Sequence, residues 1–171
     1  MRPELDKQLY EKYPEIFCQK DLDMRQTAMC WGICCGDGWY TILDELCGEI
    51  QNHINNENLN IKYKKERGEL PPDAPNYPQI EATQVKEKFG GLRFYVNYYD
   101  DFVRGLISMA ESMSLKTCEH CGNPGKENEE GYWISVLCDP CREEDKKRRQ
   151  RLNEEARERL TVKMNDVTVA P

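Results

Sequence analysis

The sequence predicts an α+β protein in which helices pack on a small antiparallel β-hairpin sheet, with a cysteine-bearing module and a charged helix toward the C-terminal end. Three observations carry that expectation. Apolar residues recur at three- and four-residue spacing in two separate segments, two strand-like runs flank Gly90-Gly91, and four cysteines fall in two C-x-x-C pairs. A chain of 171 residues suits one compact domain with an appended module. The divisions expected are an α+β core over 1–114, the cysteine module over 115–141 and a charged helix and tail over 142–171.

Pro3 followed by Leu5, Leu9 and Tyr13 at four-residue spacing predicts a first helix ending before Pro14. From Phe17 to Gly38 no period holds, and the four cysteines there, with the turn-forming Gly36-Asp37-Gly38, predict a compact loop region. Trp39, Ile42, Leu43, Leu46, Ile50 and Ile54 then line one face of a helix over about Trp39 to Asn56, with Asp37 as its N-cap. Pro71, Pro72, Pro75 and Pro78 forbid regular structure between Arg67 and Gln79. Ile80 to Phe89 and Leu92 to Tyr98 read as two strands, with Gly90 and Gly91 supplying the positive φ of a tight turn. Ile61 to Lys64 is a candidate third strand. Phe102, Val103, Leu106, Ile107, Ala110 and Met113 predict a second buried helix over about Asp100 to Ser114. Residues 142–159 carry eight basic and six acidic side chains, which predicts a solvated helix laced by intrahelical ion pairs.

The strongest chemical signal is Cys118-Glu-His-Cys121, sixteen residues, then Cys138-Asp-Pro-Cys141. Two C-x-x-C knuckles at this separation have the spacing of a zinc ribbon, each letting two thiolates reach one ion. Gly122 relaxes the backbone where amides must approach sulfur. Four thiolates leave Zn²⁺ no open position, so the predicted role is folding, not catalysis. The competing assignments are four reduced core cysteines, or His120 in place of one thiolate.

The hairpin makes a second constellation. With Gly90 and Gly91 as turn residues, Phe89 pairs with Leu92, Lys88 with Arg93, Glu87 with Phe94, Lys86 with Tyr95 and Val85 with Val96. One face is then largely apolar, and the other carries Lys86, Lys88, Arg93, Tyr95 and Asn97. Arg offers a planar fork for phosphate, Lys contributes point charge, and Tyr95 can stack or donate a hydrogen bond. That set suits an anionic, nucleotide-like ligand. The plainer alternative is a solvent face whose charges guard a sheet edge from aggregation.

Around the Gly-Asp-Gly turn, Trp31 or Trp39 could wall a pocket with Asp37 as a polar contact. Cys30, Cys34 and Cys35, with Cys18 or Cys47, could hold a second metal, against the simpler expectation of packed, reduced thiols. The only histidines are His53, expected as a half-buried helix residue, and His120 inside a knuckle. No nucleophile and base share a spacing signature, so catalysis is not predicted. An enzyme would need Asp37 or another acid to converge with the cationic face around a phosphate ester.

Composition bounds the rest. A net charge of −7 argues against a surface that grips nucleic acid everywhere, so any anion site is local. Up to Asn60 there are eleven acidic against five basic residues. Nine cysteines without an apolar leader point to a reducing cytoplasm, and no run reaches the roughly 18 apolar residues of a membrane span.

The segments MCWGICCGDGWYTILDEL, QIEATQVKEKFGGLRFYV and MAESMSLKTCEHCGNPG, with the later LCDPC, resemble a family of uncharacterised bacteriophage and prophage proteins, over roughly residues 4–141. The resemblance implies a small accessory protein acting in the cytoplasm of an infected bacterium, of the kind that counters host defence or adjusts transcription. The charged tail is outside it. The functional expectation is binding, without turnover, of a nucleotide-like anion by Lys86, Lys88, Arg93 and Tyr95, as would suit sequestration of a host immune signal. The alternative is an interaction module whose ribbon and tail engage a host protein or nucleic acid. A homo-oligomer is compatible with either.

Overall fold

The computed structural model describes residues 1–128 and 134–167; parts of the segment between the knuckles (129–133) and of the predicted tail (168–171) lie outside the described residues. The described residues form an α+β structure with four α-helices, a three-stranded mixed sheet and a two-stranded ribbon.

Helix α1, Pro3–Lys12, starts on proline, whose missing amide costs nothing in a first turn. Leu9 is buried, and Tyr13 just past the end donates its hydroxyl to the Asp44 carbonyl at 2.8 Å. Lys12 pairs with the Asp44 carboxylate at 2.7 Å. The aperiodic stretch that follows is built from single turns at Cys18–Asp21, Met29–Trp31 and Asp37–Trp39, plus a strand the sequence did not reveal, β1 at Ile33–Cys34. Two residues are too few to show an alternation.

Helix α2, Tyr40–Glu66, buries Ile42, Leu43, Leu46, Cys47, Ile50 and Ile54, the predicted stripe. It runs a further twelve residues past Ile54, so the candidate strand at Ile61–Lys64 is helix instead. Asn55, Asn56, Asn58 and Asn60 make the start of the extension a weak helix former, but Leu59, Lys62, Lys64, Lys65 and Glu66 favour helix, and Lys64 and Lys65 in its last turn complement the C-terminal dipole. Asp37 is not its N-cap: Trp39 holds that position without a side-chain bond, and the Asp37 carboxylate is engaged by Arg2. The proline-rich connector is irregular, as expected, yet anchored, because the Tyr77 amide donates to Asn58 Oδ1 of α2 at 2.8 Å.

Strands β2, Ala82–Lys88, and β3, Gly91–Val96, form the hairpin, and β1 joins β2 in parallel, so the sheet is mixed, where a purely antiparallel one was expected. The turn residues are Phe89 and Gly90, both at positive φ (53° and 74°), with Lys88 opposite Gly91, Lys86 opposite Arg93 and Val85 opposite Phe94. The predicted pairs are therefore wrong by one turn position. Gly91 is needed elsewhere: a Cβ there would lie 3.0 Å from Leu115, whereas Gly90 supplies the left-handed backbone. Moving the turn by one residue moves every partner by two, which keeps each side chain on its original face.

Helix α3, Asp101–Ser114, covers the outer edge of β3. Ser114 Oγ accepts from the Leu92 amide at 2.8 Å and Glu111 from the Phe94 amide at 3.3 Å, so the edge is not left as a pairing template. Its N-cap, Asp100, accepts from the Val103 amide at 2.9 Å and also bridges to α2 through His53 (2.7 Å) and to the connector through the Tyr77 hydroxyl (2.8 Å). The His53 ring stacks on Phe102. Partial burial opposes ionisation of Asp100, but the Val103 amide, His53 and Tyr77 together hold its carboxyl down at about 2, against an ordinary 3.8. A depressed carboxylate stabilises the fold above its unfolded pKa, and that contribution fades as pH falls through the folded one. Asp100→Asn, which keeps a competent cap, is expected to lose about 2 kcal/mol at pH 7 and almost nothing near pH 2. Denaturant titrations of both proteins at the two pH values test this; a pH-independent difference would mean that Asp100 acts through shape alone.

The ribbon strands β4, Lys126–Glu127, and β5, Val136–Leu137, pair antiparallel. Helix α4, Asp139–Val167, follows from the second knuckle, its first turns bearing ion pairs from Asp145 to Arg148 and Arg149.

Candidate metal centre and cationic sheet face

The sulfurs of Cys118, Cys121, Cys138 and Cys141 all lie within 4.8 Å of one another, a group able to hold a metal ion. Tetrahedral thiolates at the Zn–S distance of about 2.3 Å sit roughly 3.8 Å apart, and Cys121 and Cys138 are separated by 3.5 Å. The donor set therefore fits. His120 is exposed and does not belong to the group. The Asn123 amide draws the Cys121 thiol down to about 7, while burial pushes Cys141 up. The knuckle backbone is closed by Gly122 donating to the Cys118 carbonyl at 2.9 Å and Cys118 to the Asn123 carbonyl at 2.7 Å, with Gly122 at φ 78°. Arg142, one residue past the last sulfur, ties Lys126 and Leu137 together by donating to both carbonyls.

The first knuckle is seated on the Gly36-Asp37-Gly38 turn. Gly38 donates to the Glu119 carbonyl at 2.7 Å, Gly36 donates to the Glu119 carboxylate at 2.9 Å, and Trp39 Nε1 donates to the Thr117 carbonyl at 3.0 Å. A Cβ on Gly38 would lie 2.1 Å from the Cys118 carbonyl oxygen and 2.4 Å from the Gly122 nitrogen. On its other side the module meets the hairpin tip, where a Cβ on Gly90 would be 2.9 Å from Ile134. The first knuckle thus packs on the Gly36–Gly38 turn, and Ile134 on the hairpin tip.

Asp37 and Gly38 do border an open cleft of about 570 Å³, shared with Arg2, Thr41, His120 and Gly122. Trp39 forms no wall of it, being fully buried, and Trp31 is exposed elsewhere. None of the hairpin cations lines this cleft, so Asp37 and the cationic face do not converge there. Among the described residues Cys30, Cys34 and Cys35 form no metal-holding group; Cys35 and Cys47 are buried, and burial pushes the Cys35 thiol up to about 12.

Lys86, Lys88, Arg93 and Tyr95 share the sheet face opposite Val85 and Phe94. Lys88 and Tyr95 are exposed; Lys86 and Arg93 are half-buried. Arg93 lies 3.8 Å from Glu111 and donates to the Leu92 carbonyl, so its charge is partly balanced. Asn97 is structural: its carbonyl accepts from the Glu81 amide at 2.9 Å and its amide donates to Gln79. Sequence inspection missed Phe89, placed at the end of a strand but found at the turn in a left-handed conformation and 68% exposed. It also missed the His53–Asp100–Tyr77 cluster, whose members are far apart in sequence.

Among the described residues no helix is long and apolar enough to cross a membrane. No protein-family model, curated protein or solved structure matches the chain.

Proposed function

We propose that the chain is a non-catalytic binding protein in which Zn²⁺ on Cys118, Cys121, Cys138 and Cys141 serves folding, and in which the sheet face of Lys86, Lys88, Arg93 and Tyr95 takes a phosphate-bearing, nucleotide-like ligand. The observation that carries the ligand assignment is the grouping of three cations and a phenol on one sheet face, retained in the observed register, with Lys88 and Tyr95 exposed. Like charges this close repel one another, and an anion relieves that repulsion. Zinc is favoured by four sulfur donors, which select a soft, tetrahedral ion.

The test is calorimetric titration of the zinc-loaded protein with nucleoside mono- and diphosphates, cyclic nucleotides and short oligonucleotides. Binding to at least one class is expected, falling tenfold or more in Lys86→Ala/Lys88→Ala while zinc stays at one equivalent. A panel without any binder, or a binder indifferent to both lysines, would remove the ligand assignment.

A further inference from the structure

Phe89 is the least explained side chain of the hairpin. A bulky residue at φ 53° is unfavourable, since the first position of such a turn prefers Asn, Asp or Gly. Packing does not repay the strain, because the ring is 68% exposed. Strain retained at an exposed position is a pointer to function. The ring lies beside the cationic face: the Lys88 ammonium is 5.4 Å from its centroid.

At the other end of the same face Tyr95 is 42% exposed, opposite Gln84 and diagonal to Lys86. Between the two rings lie Arg93 opposite Lys86, then Lys88 opposite Gly91. The order along the hairpin is aromatic, three cations, aromatic. From Tyr95 to Gly91 alone is about 13 Å of strand, so one nucleotide can engage one ring but not both.

We infer that the ligand of this face is single-stranded nucleic acid, with Tyr95 and Phe89 each stacking on a base and Arg93, Lys86 and Lys88 contacting the phosphates between them. This rests on the anion-binding assignment above and narrows it to a polymer. Stacking needs bases released from a duplex, and aromatic side chains on a cationic strand surface provide for it. With a net charge of −7 the chain does not attract phosphate over its whole surface, so the contact is local. Two acidic groups adjoin it: Glu111 pairs with Arg93, and Glu87 accepts from the Gly90 amide at 2.6 Å.

Fluorescence anisotropy of the zinc-loaded full chain with labelled 12-mers tests it: single-stranded DNA, single-stranded RNA and duplex DNA, beside a labelled mononucleotide. Binding of one or both single strands is expected, at least tenfold tighter than duplex or mononucleotide, with a log–log salt slope of about −2 from three phosphate contacts. Tyr95→Ala and Phe89→Asn should each weaken it roughly 5- to 150-fold. Phe89→Asn also creates the favoured Asn-Gly turn, so its melting temperature should hold or rise, separating lost stacking from lost folding. Duplex binding as tight as single-strand binding, or affinity unmoved by both aromatic variants, overturns the inference. Mononucleotide binding that depends on Lys86 and Lys88, without tighter oligonucleotide binding, overturns it and spares the broader assignment; absence of all binding overturns both.

Discussion

Cys138→Ser is expected to yield a protein that holds no stoichiometric metal after dialysis against a chelator and loses several kcal/mol of stability. Structural zinc binds with an apparent free energy of about 10–16 kcal/mol at neutral pH, and that energy is folding energy wherever the site forms only in the native state. The loss is limited by the total stability of a domain, about 5–15 kcal/mol. The damage should spread from the knuckles. Cys118 is fully buried, Glu119 holds the amides of Gly36 and Gly38, and Val136 accepts from the Glu119 amide at 3.0 Å. Elemental analysis and limited proteolysis of 115–141 check it. One retained equivalent of zinc with an unchanged cleavage pattern would rule out this ligand set.

Gly38→Ala should be nearly as severe although it removes nothing. The added Cβ meets backbone, the Cys118 oxygen at 2.1 Å and the Gly122 nitrogen at 2.4 Å, and backbone cannot rotate away as a side chain can. Overpacking of this kind costs about 3 kcal/mol. The module is expected to keep its metal, since all four sulfurs remain, but to leave its seat. Trp39, fully buried and bonded to the Thr117 carbonyl, reports the event: its emission should shift to the red while zinc content stays at one equivalent. An unshifted spectrum with unaltered denaturation would mean the knuckle does not rest on this turn.

How much of this fold is legible in the sequence follows the range of each interaction. Stripes such as Ile42 to Ile54 and Val103 to Ala110 announce themselves because helical burial repeats locally. The paired knuckles were legible for the same reason, since each ligand pair is four residues long. The cationic face survived an error in the turn because face membership depends only on parity along each strand. What stayed hidden depends on distant partners. β1 exists only because β2 offers it an edge, and the tight spacing around Gly36 and Gly38 has meaning only once Glu119 and Cys118 arrive. Phe89 was misplaced because Gly90-Gly91 looks like a complete turn, while the close approach of Leu115 assigns Gly91 to the strand.

The seat of the first knuckle has a consequence for the order in which the chain assembles. Gly36 meets Glu119 across 83 residues, and Trp39 meets Thr117 across 78, so this junction closes a long loop and forms slowly beside the helices and hairpin. Each knuckle is local and can capture a metal ion well before that closure. So can the five other thiols while they are still exposed, and ions held by an unfolded chain subtract from the stabilisation of the native one. Metal in excess over one equivalent is therefore expected to add less to the stability of the native state than the affinity of the four-thiolate site alone would give.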